Sequence, residues 1–236
     1  MAAVLRSASG PGAGACLLAP TRPCHRMLDV QFAVFCRSRL YLDLPCMTGT
    51  CQHRRPNGTV CGAALDPKGV HAKTCPVGGW RVRRHNTGVN ILADWCVNFC
   101  DCLVFKEQVL PAANPDHMEA RLDLLVHSPL VAGRMCVDFT VVSALGTEAL
   151  SRGSAVRDGV AATIAARQKL LKYPGCATYP FPVEEHGRLG EASLTFIRLI
   201  APQDPSLRSK AIARLYHDLG AAVQRANSEA VLAACS

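Results

Sequence analysis

The apolar positions between Arg84 and Cys100 fall at Val89, Leu92, Ala93, Cys96, Val97 and Cys100. That three-and-four spacing predicts one helix with a single buried stripe. The period then changes. "CLVFKEQVL" alternates over a few residues and predicts a strand, followed by a loop, "PAANPDHME". "RLDLLVH" and "MCVDFTVV" are short runs rich in leucine and β-branched residues, and the intervening "SPLVAGR" suits a hairpin turn. Residues 155–172, "AVRDGVAATIAARQKLLK", return to helical spacing and stop at Tyr173-Pro174-Gly175. "CATYPFPVE" predicts a further strand, kept short or at a sheet edge by its prolines. From Pro205 a long amphipathic helix is predicted. The order α-β-β-β-α-β, then helices, predicts an α/β fold.

Four blocks follow from this pattern. Residues 1–45 open with a Gly/Pro/Ala loop and continue into an apolar helical stretch, "MLDVQFAVFCRSRLYLDL". Residues 46–80 have little periodicity, many turn formers and a concentration of cysteine and histidine. Residues 81–183 carry the mixed helix and strand pattern, and residues 184–236 are mostly helical. No internal repeat is visible.

Composition narrows the classes. With 49% hydrophobic and 19% charged residues over 236 positions, the chain is globular rather than disordered. No apolar run reaches membrane-spanning length. A net charge of +8 favours a polyanionic partner, nucleic acid first. Gly10, Pro11, Gly12 and Gly14 interrupt any secretory h-region, although an arginine-bearing, acid-free start before Asp29 is compatible with a mitochondrial presequence. Thirteen cysteines, an odd number without a secretory signal, point to a reducing intracellular compartment, nuclear or cytoplasmic. There thiols serve as core residues or metal ligands.

The densest chemistry is in "CQHRRPNGTVCGAALDPKGVHAKTC". Nine residues separate Cys51 from Cys61, nine more separate Cys61 from His71, and three separate His71 from Cys75. Tetrahedral zinc takes thiolate and imidazole ligands in such sets. His53 is a spare candidate, and a cysteine-rich loop without metal is the alternative. Cys96, Cys100 and Cys102 read as core thiols.

A second constellation is acidic. Asp123 and Asp138 interrupt the two neighbouring apolar strands, where a carboxylate is costly unless hydrogen-bonded or bound to a cation. Glu107 of "FKEQV" can approach from the preceding strand. Such carboxylates suit Mg²⁺ or Mn²⁺ and phosphate chemistry. Pairing with Arg121 and Arg134 is an equally good account. Lys169 and Lys172 share a face near the end of a helix, where they serve either as catalytic cations or as caps to the dipole. Arg81, Arg83, Arg84 and His85 precede a helix, as phosphate contacts or as a solvated basic turn.

In order along the chain, these segments resemble the region after the reverse transcriptase in site-specific non-LTR retrotransposons. There a Cys-Cys-His-Cys knuckle precedes a restriction-like endonuclease of the PD-(D/E)xK type. "GPGAGACLLAP" and "FAVFCRSRLYLDLP" resemble the upstream connector, and "CQH…GTVCGAALDPKGVHAKTC" resembles the knuckle. "RRHN", "FKEQV", "RLDLLV", "VDFTVV" and "RQKLLKY" resemble the nuclease segments, so the likeness covers most of residues 8–183. It implies Cys51, Cys61, His71 and Cys75 as zinc ligands. It implies Asp123 and Asp138 as metal-binding catalytic acids, Glu107 as a supporting carboxylate, and Lys169 or Lys172 as the catalytic lysine. Thr140 stands where many such nucleases carry lysine, and Leu122 stands where many carry proline.

The expected function is therefore a retroelement-derived, Mg²⁺-dependent DNA endonuclease. Its fold would be a restriction-endonuclease-like core preceded by a zinc knuckle and followed by helices. DNA is expected over RNA as partner, and no membrane. Two alternatives stand beside it: a non-catalytic nucleic-acid-binding remnant, and a globular protein whose knuckle makes protein contacts.

Overall fold

A computed structural model describes residues 1–20, 22–109 and 121–236. The loop expected over 111–119 lies outside them. In chain order the helices are α1 (Ala2–Ser7), α2 (Asp29–Arg39), α3 (Val70–Thr74), α4 (Trp80–Cys100), α5 (Thr147–Ser151), α6 (Val160–Lys172), α7 (Glu191–Ile200) and α8 (Pro205–Cys235). The strands are β1 (Leu103–Val109), β2 (Arg121–His127), β3 (Met135–Val142) and β4 (Thr178–Glu184). They form one mixed sheet in the order β1-β2-β3-β4. The first three run antiparallel, and β4 lies parallel to β3 after the crossover through α5 and α6.

The prolines of β4 explain its place at the edge. Pro182 accepts a hydrogen bond from the Gly190 N–H (3.0 Å), so its carbonyl faces away from β3. Pro180 has the same parity, and the N–H that each proline lacks would point to that outer side. No ladder bond is lost. β3, second from the edge, is buried along its first five residues, whereas β1 at the opposite edge is largely exposed.

α4, α7 and α8 cover one face of the sheet. Their side chains share a core with Leu124, Val126, Met135, Val137, Phe139, Phe181 and Val183. The other face carries Leu125 and Cys136 packed with Tyr173, just past the end of α6. Gly88 lets α4 approach closely, because a Cβ there would lie 2.2 Å from the Phe139 ring. α4 shows the expected stripe with two changes: Val97 is 50% exposed and Trp95 is buried. α8 provides the reason. It packs along α4 outside the sheet-facing stripe, and the Trp95 indole donates to the Ala211 carbonyl at 2.8 Å.

α6 begins five residues later than the helix predicted from 155. Gly159, at φ 67°, caps it in the left-handed region, so the chain turns there before the helix starts. The short α5 is absent from the sequence prediction.

The Cys/His segment packs on the far end of α8. Cys51, Ala72, Cys75 and Val77 share a small core with Val231 and Ala234. The Gln52 N–H donates to the Ala234 carbonyl (2.9 Å), and His53 Nε2 meets the Ala230 carbonyl (2.9 Å). No helix among the described residues is long and apolar enough to cross a membrane.

Candidate metal centre and acidic cleft

Cys51 and Cys61 come from two loop segments joined by the bridges Thr50–Ala64 and Arg54–Val60. His71 lies on α3 and Cys75 ends it. The carboxylate of Asp66 accepts hydrogen bonds from the backbone N–H groups of Val70 and His71 and so anchors the start of that turn. The four ligand atoms lie within 4.8 Å of one another. The Cys51–Cys75 Sγ distance is 3.9 Å, Cys61–Cys75 is 3.6 Å, and Cys61 Sγ to His71 Nε2 is 3.5 Å. Tetrahedral zinc with ordinary bond lengths requires edges of about 3.8 Å for S···S and about 3.6 Å for S···N. The cluster therefore has the dimensions of a coordination shell and can hold a metal. Burial pushes the Cys75 thiol up to about 12. Without a cation it would stay protonated, so loading releases protons. His53, the spare candidate, is outside the cluster and serves α8. Cys96, Cys100 and Cys102 are buried in the main core as expected. All described cysteines are free thiols.

The acidic residues sit where β2 and β3 part. The last ladder pair is Leu124 with Val137, and one more step in that register sets Asp123 opposite Asp138. Instead of a further backbone bond, the Asp123 carboxylate accepts the Phe139 N–H through Oδ2 at 2.7 Å. Its Oδ1 lies 3.0 Å from His85 Nε2. Asp138 is 2% exposed, and Lys169 Nζ lies 2.6 Å from its Oδ1. Burial raises the Asp138 carboxyl above the usual carboxylate range. Lys169 opposes that rise, and the negative charge of Asp123 adds to it. Tyr173 donates its hydroxyl to the Arg121 carbonyl at 2.9 Å, and its pKa is pushed up by burial and then by the charge of Asp138.

These contacts select among the alternatives of the sequence. The partners of the two aspartates are His85 and Lys169 rather than Arg121 and Arg134. Lys169 reaches Asp138, while Lys172 lies 4.8 Å from the centre of the Tyr173 ring. Glu107 falls in register across from Asp123, between Lys106, which pairs with Leu124, and Gln108, which pairs with Leu122. Its backbone is left-handed at φ 51°, and its carboxylate meets Arg121 at 3.4 Å on the surface. Glu107, Asp123 and His85 line a cleft of about 260 Å³ with Lys106 and Asn90. On its other side, His85 borders a cleft of about 280 Å³ lined by Arg81, Val82 and Thr140.

The predicted basic cluster divides. Arg81 and Arg83 are exposed, with Arg83 stacked over Trp80. Arg84 is a correction: it is buried, donates to Asn227 Oδ1 on α8, and its pKa is lowered by desolvation. Its guanidinium joins α4 to α8 and does not face a strand of nucleic acid. His85 is turned to Asp123.

Sequence reasoning missed Tyr173 as a partner of Asp138 and His85 as a partner of Asp123. The signal for the first was present, since Tyr173 directly follows the lysine pair. For the second it was not, because His85 is 38 residues from Asp123. Apart from Cys51, Cys61, His71 and Cys75, one group of three potential ligands closes among the described residues: His25, His217 and Asp218. Glu107, Asp123 and Asp138 do not close into such a group. Comparison with known protein families and with curated proteins finds no match to this chain.

Proposed function

We propose that this chain is a metal-dependent DNA endonuclease of restriction-like architecture, derived from a retroelement and built beside a zinc knuckle. The observation that supports the reading is a pair of acids on adjoining strands where the β2–β3 ladder ends, Asp123 partnered by His85 of α4 and Asp138 by Lys169 of α6. Two carboxylates are what Mg²⁺ takes from a protein when waters and phosphate oxygens complete its shell. Bound there, the ion would lower the pKa of a water and steady the charge on phosphorus. Asp138 and Asp123 would present carboxylate oxygens, and Asp123 is held rigid by the Phe139 N–H. Lys169 would stabilise the anionic phosphate, its ammonium fixed by Asp138. His85, between the two clefts, would stand where a leaving or attacking oxygen exchanges a proton. Arg81 and Arg83 are the exposed cations beside the cleft that suit the strand backbone. Cys51, Cys61, His71 and Cys75 would hold zinc, which keeps the basic start of α4 in place.

The experiment is a nicking assay on supercoiled DNA with the full chain and Mg²⁺. Nicking is expected to require Mg²⁺ and to be lost in Asp123→Ala, Asp138→Ala and Lys169→Ala. Equal nicking by the two aspartate variants would remove the assignment. A second reading, a nucleic-acid-binding remnant without turnover, is favoured by the self-neutralising Asp138–Lys169 pair. It predicts salt-sensitive binding that ignores Mg²⁺.

A further inference from the structure

The N-terminal segment meets α8 through a polar cluster that the acidic cleft and the Cys/His unit leave unused. His25 lies in a 3₁₀ turn, Pro23–His25, while His217 and Asp218 are consecutive on α8. All three residues are more than nine-tenths buried. His25 Nδ1 is 3.6 Å and His217 Nδ1 is 3.5 Å from Asp218 Oδ1. None of these three atoms has a hydrogen-bond partner among the described residues. Two imidazole nitrogens and a carboxylate oxygen thus face one another without a hydrogen-bond partner, which is unfavourable unless a proton or a cation lies between them.

The outer contacts restrict what that is. His217 Nε2 lies 3.2 Å from the Ala19 carbonyl, which only accepts, so that nitrogen carries the hydrogen and Nδ1 presents a lone pair. The second carboxylate oxygen of Asp218 is taken by Arg214 Nε at 2.9 Å, with Arg22 at 3.8 Å. That leaves Oδ1 aimed at the imidazoles. Distances of 3.5 and 3.6 Å are long for hydrogen bonds. They are close to the N···O edge of a tetrahedral zinc shell, about 3.4 Å. The backbone carbonyl on one imidazole and the arginine on the carboxylate are the outer partners that orient metal ligands. A cavity of about 330 Å³ borders His25 and His217 and leaves room for a water as fourth ligand.

We propose that His25, His217 and Asp218 form a second divalent-metal site, of the two-imidazole, one-carboxylate class, and that zinc is its ion. Its effect is to clamp the N-terminal segment onto α8. The proposal is independent of the nuclease reading.

The test is metal stoichiometry of the full chain, stripped by chelator under reducing conditions and refolded with Zn²⁺ in excess Mg²⁺. The excess Mg²⁺ occupies oxygen-only sites. Two zinc ions per chain are expected. Substitution by Co²⁺ separates them: the Cys₃His ion gives thiolate charge-transfer absorption, and the second, with nitrogen and oxygen ligands, gives none. His25→Gln and His217→Gln should each reduce two ions to one and keep the charge-transfer band, which also reports an intact fold. Asp123→Ala should keep two. Should either histidine variant misfold, zinc-edge X-ray absorption of the unaltered chain decides, since three sulfurs shared over two ions differ from three on one. A single ion with the charge-transfer band overturns the proposal, as does a second ion that survives His25→Gln and His217→Gln. A single ion without that band would leave this site standing and remove the Cys₃His centre.

Discussion

Replacing Lys169 by methionine keeps most of the side-chain volume and strands a buried carboxylate. Asp138 is 3% exposed at its side chain and Lys169 25%, so solvent screens the pair only in part. Breaking one side of a buried pair costs about 3–5 kcal/mol, and the part-exposed lysine places Lys169→Met near about 3 kcal/mol at pH 8. For a chain of this size that corresponds to a melting temperature lower by roughly 6–12 °C. The sign of the pH dependence follows from Asp138, whose folded pKa burial raises above the unfolded value. Its contribution to stability is full below the unfolded pKa of about 4 and declines as pH rises through the folded one. Lys169 restrains that rise, so its removal lifts the folded pKa further. The loss is therefore expected to be smaller at pH 5.5 than at pH 8, falling at still lower pH toward roughly 1 kcal/mol, that of a hydrogen bond. Urea unfolding of variant and unaltered chain at each pH measures both values, and effects of zinc common to the two cancel. Asp138→Asn in the Lys169→Met background should recover much of the pH 8 loss. Equal losses at pH 8 and pH 5.5 would refute the reasoning, as would a loss below about 1 kcal/mol at pH 8.

Four further outcomes are expected. Gly88→Ala should cost about 1–3 kcal/mol in urea unfolding, because its Cβ meets a Phe139 ring that is fully buried and has little room to yield. Trp95→Phe should cost about 1 kcal/mol by the same measurement, from the lost bond to Ala211. In DNA binding, Arg81→Ala and Arg83→Ala should each flatten the dependence of log affinity on log salt by about 0.9. Arg84→Met should leave that slope unchanged while lowering stability.

The strands were legible because their runs are short, apolar and bounded by turn formers, and the prolines of β4 announced an edge. The Cys/His set was legible because ligands close in sequence leave a spacing to read. What escaped is what depends on distant packing. The burial of Trp95 and Arg84 follows from α8, more than a hundred residues away. The His25 cluster joins residues almost two hundred positions apart, with no motif to mark it. Val97 fits the helical period as well as Cys96 does, and only the position of neighbouring elements decides which is covered. Among the candidate acids, the sequence indicated residue type and strand, whereas the partners of Asp123 and Asp138 come from helices whose placement no local pattern encodes.

The long helix α8 imposes an order on biosynthesis. His53 is bonded to Ala230, 177 residues further on, and Val231 and Ala234 complete the small core around Cys51 and Cys75. A ribosome has to pass Ala234 before the apolar floor of the Cys/His unit exists. Cys51, Cys61 and Cys75 therefore remain accessible thiols until α8 has been made. Their protection from oxidation in that interval rests on the surrounding redox environment or on early capture of an ion, and only afterwards on the fold.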